Sequence, residues 1–260
     1  IFKNKSAPLQ ISWCGYCNSS GIKEIDYLIA DKNLIKKEEE LNYTEKIIRL
    51  PKIWNSHFLI SSELKINELP AIKNKFVTFG SFNNYGKLSD DVIETWSKIL
   101  KNDNSRLILK SSVHDHQLVR DNIMSKFKKN GVNKDKIVFM ERLKNYEDHL
   151  KAYNNIDISL DTFPFAGATT TFESLWMGVP TITLSGQVFN SKFGVSINKN
   201  LNMNNFIAKD QIDYIEKAKM ISSDINKLNQ IRKSLRSLAM NSPLFDNKDF
   251  GLELSKTLKD

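Results

Sequence analysis

From position 75 onward the apolar residues switch repeatedly between the short runs of strands and the spaced pattern of helices. "KFVTFGSF" reads as a strand that enters a Gly-Ser loop, and "SDDVIETWSKILK" as a helix capped by Ser89 with acids in its first turn. The alternation continues with the strand "RLILKS", the helix "DHQLVRDNIMSKFKKNG" closed by Gly131, and the strand "KIVFME". A helix near "YEDHLKAYNN", the strand "IDISLD", a helix inside "DTFPFAGATTTFESLWMGVP" and the strand "PTITL" complete the series. Such a βαβα rhythm predicts an α/β fold with a parallel, doubly wound sheet. Ligands of these sheets bind at the carboxyl ends of strands near a topological switch point. The loops at 80–87 and 161–171 both follow strands, so both are expected on that rim.

The flanks are less regular. Residues 211–238 have one helical periodicity, which "SPLFD" breaks before a last short helix. Near the start, "IDYLIADKNLI" reads as strand and turn, and "EKIIRLPKIW" as a strand ended by Pro51. The polar stretch 61–75, which contains Pro70, is the expected linker between a part at 1–60 and a larger part at 76–260. No internal repeat is present.

The segment at 161–180 carries the most chemistry. Gly167 and Ala168 precede three threonines at the start of an amphipathic helix. A helix start has unpaired N–H groups and the positive end of the macrodipole, which suits an anion. A plainer account also fits: Thr170 and Glu173 have the spacing of a capping box, and Phe172, Leu175 and Trp176 would face a core before Gly178 and Pro180 end the helix. Capping needs only one hydroxyl, however, and threonines are poor helix formers. Spare hydroxyls beside free N–H groups suit phosphate oxygens, so phosphate binding and capping both stand at this point.

Composition narrows the classes. The 260 residues are 40% hydrophobic with a mean hydropathy of −0.39, enough for a full globular core. No apolar run approaches the roughly 20 residues of a membrane span, and no signal segment opens the chain, so a cytoplasmic location is expected. Ile1 in place of Met is read as the start of a piece of a longer protein. The net charge is +8, but lysines and acids are interspersed, as in "KKEEELNYTEK", and no nucleic-acid-binding motif appears. An anionic small molecule or an acidic partner is expected instead of nucleic acid. "WCGYC" has the C-x-x-C spacing of a thioredoxin-like redox site, yet "NSSG" follows as a loop where that chemistry needs a helix start. The four histidines show no ligand spacing that would make Cys14 and Cys17 a zinc site.

In order along nearly the whole chain, "SWCGYCNSSGIKEIDYLIAD", "LPKIW", "FGSFNNYGKLS", "HLKAYNNIDISLDTFPFAGATTTFESLWMGVPTITL" and "SPLF" resemble the catalytic region of the O-GlcNAc transferase and SPINDLY family. The resemblance implies a GT-B glycosyltransferase, with a Rossmann-like nucleotide-sugar-binding lobe at 76–260 and the end of the partner lobe at 1–60. It also implies a role for each matching residue. Lys87 would contact the donor diphosphate and act in catalysis, with Asn84 near the same phosphates. Gly167, Thr169 and Thr170 would hold the diphosphate, Glu173 the ribose hydroxyls and His149 the nucleobase, while Gly15 would face the donor sugar. Ala168 stands where the animal enzymes have a His, and "DISLDTFP" and "ESLWMGVP" are closer to the SPINDLY branch, which resembles protein O-fucosyltransferases. The implied donor is therefore UDP-GlcNAc or GDP-fucose, and the acceptor a Ser or Thr of a protein selected by upstream helical repeats.

The implied reaction displaces a nucleoside diphosphate, with Lys87 and the helix start meeting the charge that builds on the leaving group. No D-x-D occurs in the sequence, so no metal or other cofactor is expected. The family's histidines from the early part of the other lobe have no counterpart, so activity is sought in the full-length protein and the general base is not identified. The rival readings are a non-catalytic nucleotide-binding module and the C-x-x-C redox protein.

Overall fold

Strands form where the short apolar runs lie. The computed structural model describes residues 1–259 apart from 59, 62, 102 and 103. In it β1 (Ile11–Ser12), β2 (Tyr27–Asp31) and β3 (Lys46–Leu50) make a three-stranded parallel sheet. A second, six-stranded parallel sheet comprises β4 (Val77–Ser81), β5 (Ser105–Lys110), β6 (Ile137–Met140), β7 (Ile158–Leu160), β8 (Thr181–Leu184) and β9 (Ile207–Ala208). Its order is β6-β5-β4-β7-β8-β9. The chain moves outward from β4 to β6, then returns to β4's other side with β7, so the switch point lies between β4 and β7.

Helices pack around these sheets: α1 (Pro70–Asn74), α2 (Asp90–Leu100), α3 (Gln117–Lys129), α4 (Tyr146–Lys151), α5 (Thr169–Trp176), α6 (Phe193–Asn200), α7 (Gln211–Ser223), α8 (Ile225–Met240) and α9 (Asn247–Thr257). Ser89 caps α2, its Oγ accepting from the Val92 N–H at 3.3 Å. The face of α2 bearing Val92, Ile93, Trp96, Ile99 and Leu100 is buried with Val77, Phe79, Leu107 and Ile158 in one core. A second core joins the two sheets through Leu28, Trp54, Phe172, Trp176 and Phe245. Each large apolar side chain buried there stabilises the fold by about 1.5–3 kcal/mol. Phe172, Leu175 and Trp176 of α5 are all buried, as their spacing predicts, so α5 is anchored along its length while its first turn stays at the rim. At the far end of the chain, α9 returns to the first sheet, where Lys52 pairs with Asp249 at 2.6 Å and the Trp13 ring stacks on Phe250.

Two local expectations change. The single periodicity at 211–238 is two helices, because Asp224 interrupts it and caps α8 by accepting from the Lys227 N–H at 2.9 Å. The segment 185–210, where the sequence pattern shows no element, contains α6 and β9. Residues 193–198 of α6 are all buried, so the helix has no polar face to reveal its period. Its Gly194 is required by a close approach, since a Cβ there would lie 2.4 Å from Thr183 Oγ1. Among the described residues, no helix is long and apolar enough to cross a membrane.

Candidate functional site

Asp161 follows β7 directly, at the switch point, and is 1% exposed. Its Oδ1 accepts from the Gly167 N–H at 2.7 Å and the Thr162 N–H at 2.9 Å, and its Oδ2 from the Thr183 hydroxyl at 2.8 Å. One carboxylate thus folds the 161–167 loop back on itself and delivers the chain to α5. Burial pushes the Asp161 carboxyl up to about 6, although these donors and the nearby Lys87 oppose the shift. Gly167 fits because it lacks a side chain: a Cβ would lie 2.4 Å from Thr170 Oγ1 and 2.8 Å from Asn83 Oδ1.

The helix begins at Thr169 after the Ala168 cap, earlier than a Thr170 cap would allow. Thr170 and Glu173 therefore do not form the capping box that their spacing suggests. The Thr170 hydroxyl donates to Asn83 Oδ1 at 3.0 Å, and Glu173 turns to other side chains. No carbonyl one turn back is available to the N–H groups of Thr169 and Thr170. Thr169 is exposed and Thr170 half-buried at the rim.

The loop after β4 brings its cation to the same place. Lys87 Nζ donates to the Ala166 carbonyl at 2.8 Å and lies 4.0 Å from the centre of the Phe165 ring. Burial holds this ammonium below the ordinary lysine value, while Asp161 and Cys17 pull it back up. Among the described residues, Asn84 bonds within its own turn and not to α5. Its Oδ1 accepts from the Gly86 N–H at 2.9 Å and caps the 3-10 turn (Tyr85–Lys87) that carries Lys87. The asparagine that meets α5 is its neighbour Asn83.

On the other side of α5, a chain of polar side chains converges. His149 Nε2 is 2.9 Å from Glu173 Oε2, and Lys110 Nζ is 2.6 Å from His149 Nδ1. The Tyr153 hydroxyl donates to the same Glu173 oxygen at 3.3 Å and to the Thr170 carbonyl at 3.2 Å. Glu173 is 4% exposed. Burial lowers the Lys110 pKa, with Glu173 opposing, and burial together with Glu173 raises the phenol pKa values of Tyr146 and Tyr153. His149 is flanked by the Tyr146 ring, stacked at 6.1 Å, and by Phe82 at 6.0 Å.

Gly15 lies in an exposed turn of the first sheet's side, where a Cβ would meet only Trp13 O at 4.0 Å. Cys14 and Cys17 flank it as free thiols in an irregular loop with no helix behind them. The Cys14 residue surface is exposed, yet the protein packed around its thiol, followed by Cys17, pushes its pKa up to about 12. That is the opposite of the lowered pKa a redox nucleophile needs. Burial raises the Cys17 thiol as well, with the Lys87 charge opposing.

Asn83, Lys110, Tyr153 and Asp161 were not among the sequence candidates. Lys110 ends an apolar strand and Asp161 follows one, and a polar residue at the carboxyl end of a buried strand was the readable signal. Two concavities lie away from α5. One of about 700 Å³ is lined by Lys75, Val77 and Asn226, and one of about 730 Å³ lies among residues 1–25 and includes Gly15.

The sequence profile of glycosyl transferase family 41 matches residues 1–65 and 55–254. The chain is 36% identical over 256 residues to a protein of Petunia hybrida whose name is "Probable UDP-N-acetylglucosamine--peptide N-acetylglucosaminyltransferase SPINDLY". That match covers 98% of this chain and 28% of the relative, so the chain spans little more than a quarter of the relative's length. A mutant of the Thermobaculum terrenum O-GlcNAc transferase superposes with a TM-score of 0.89 at 28% identity, covering 97% of this chain and 48% of that one. Sucrose-phosphate synthase of Thermosynechococcus elongatus shares the fold, with a TM-score of 0.59 at 12% identity over 90% of this chain and 58% of the other.

Proposed function

Because the chain belongs to glycosyl transferase family 41, we propose that it forms the nucleotide-sugar-binding part of a protein O-glycosyltransferase. Its fold is that of GT-B glycosyltransferases. The observation that carries the proposal is the meeting of Lys87, Gly167 and Thr170 at the open first turn of α5, on the switch point of the sheet. A diphosphate placed there receives the N–H groups of Thr169 and Thr170, the Lys87 ammonium, and the Thr170 hydroxyl once it exchanges Asn83 for a phosphate oxygen. The nucleoside extends toward Glu173 and His149.

In the reaction, the bond from the anomeric carbon to the diphosphate oxygen breaks and a bond from a Ser or Thr oxygen of the acceptor forms. The hydroxyl proton leaves to a base outside the residues assigned here. Negative charge grows on the leaving diphosphate, and fixed donors at that point lower the barrier most. With Lys87 and α5 in that role, the reaction has no need of a divalent metal.

The name of the Petunia relative favours UDP-GlcNAc as donor. Calorimetry and transfer assays with UDP-GlcNAc and GDP-fucose, on the full-length protein with and without EDTA, test the proposal. Binding and transfer with UDP-GlcNAc, unchanged by EDTA, are expected. Selective use of GDP-fucose would reassign the donor, and binding without transfer or donor hydrolysis would leave a non-catalytic nucleotide module.

A further inference from the structure

Lys110 closes β5 with 8% of its surface exposed, and no reaction step described above uses it. Its Nζ lies 2.6 Å from His149 Nδ1, on the side of the ring away from Glu173. An ammonium has donors only, so the His149 nitrogen that faces it must offer a lone pair. The ring hydrogen then sits on Nε2, which donates to Glu173 Oε2 at 2.9 Å. Tyr146, Tyr153 and Phe82 meet the remaining sides of the ring with aromatic surface. The charged groups that face His149 are therefore Lys110 from β5 and Glu173 from α5. The Lys110 ammonium also lies over the Phe82 ring, with Nζ 5.5 Å from its centre.

We propose that Lys110 is a positioning residue for the nucleoside side of the site: by occupying Nδ1 it holds His149 as the Nε2–H tautomer and locks the ring plane to the Glu173 carboxylate. The inference rests on the reading of His149 and Glu173 as nucleoside-binding residues. Without the Lys110 donor the ring is free to flip or to change tautomer. If Nδ1 instead turned toward Glu173, two acceptors would face each other unless the ring rebuilt its hydrogen bonding. A pre-set ring and carboxylate spare the nucleoside the ordering cost at binding.

The test is 15N spectroscopy of the histidine-labelled protein, with His149 assigned by its loss in His149→Phe, together with calorimetric titration of UDP and GDP. Wild type is expected to show the hydrogen on Nε2. Lys110→Met should shift the His149 nitrogen pair and weaken binding of the preferred nucleotide roughly tenfold, and Lys110→Arg, which keeps a donor, should restore most of both. A wild-type spectrum with the hydrogen on Nδ1 overturns the proposal without recourse to any variant. So does a Lys110→Met protein with unchanged His149 signals or unchanged affinity. A wild-type protein that binds neither UDP nor GDP overturns the nucleoside reading underneath.

Discussion

The two sides of α5 are built differently. On the side of the 161–170 turn a buried carboxylate holds main chain: Asp161 accepts from the N–H groups of Thr162 and Gly167, and the loop so shaped offers its Ala166 carbonyl to Lys87. On the other side, side chains hold side chains, from Lys110 through His149 to Glu173 and Tyr153. The first arrangement sets N–H groups and an ammonium where charge would develop on a leaving group. The second presents a ring and a carboxylate, which on the proposed function a nucleoside would contact equally before and during reaction. Interactions that strengthen only in the transition state raise turnover, and those present throughout raise affinity. On the proposed function, one helix would separate the two effects, its first turn serving the chemistry and its fifth residue the binding.

That separation is open to direct attack. The largest effect is expected from Lys87→Ala in the full-length enzyme, where turnover should fall by about two to three orders of magnitude while nucleoside diphosphate affinity falls much less. Near-normal turnover would place Lys87 among the solvated lysines of the chain.

Asp161→Asn tests the main-chain side through pH. Burial lifts the Asp161 carboxyl from the ordinary 3.8 to about 6, so between those values the folded chain keeps a proton that the unfolded chain releases. The Asp161 contribution is therefore fully present below about pH 4 and lost as pH rises to about 6, on the order of 3 kcal/mol in all. Asp157, also raised to about 6, has the same sign but is common to both proteins and cancels. The stability difference between wild type and Asp161→Asn, from urea midpoints at pH 4, 5 and 6, should drift by that amount. A constant difference would mean that Asp161 is not held protonated by its burial.

On the side-chain half, Glu173→Gln should weaken nucleoside diphosphate binding by roughly tenfold or more, the loss of one charge-assisted bond. Turnover at saturating donor should change little. Since no capping box involves Glu173, equal affinities at equal melting temperatures would remove the ribose assignment outright. The smallest effect is expected from Cys14→Ser combined with Cys17→Ser, with affinity and turnover both within about twofold, because neither thiol has the lowered pKa of a nucleophile. A folded double variant that loses transfer would give the C-x-x-C turn a chemical role.

Much of the α/β order was readable because its signals are local. Ser89 caps α2 as its position before Asp90 and Asp91 suggests, and the strands "KFVTFGSF" and "IDISLD" appear as β4 and β7. The rim was readable too, since strand ends and a Gly-Thr helix start suffice to point there. Other signals misled for equally local reasons. The Thr170 and Glu173 spacing looks like a capping box wherever the helix begins, and only the Asp161 loop, by starting the helix at Thr169, assigns those side chains elsewhere. Asn83 and Asn84 are indistinguishable in sequence, and the short turn that Asn84 caps decides that Asn83 faces α5.

By itself, then, the sequence determined the alternation of strands and helices, the buried face of α5 and the candidacy of its first turn, because periodicity and helix ends depend on neighbours within a few residues. The tertiary structure alone decided which polar groups meet. Lys110 and His149 are 39 positions apart and His149 and Glu173 are 24 apart. They come together because parallel register brings the carboxyl ends of β4, β5 and β7 to one edge, and no pattern confined to a few neighbouring residues carries that register.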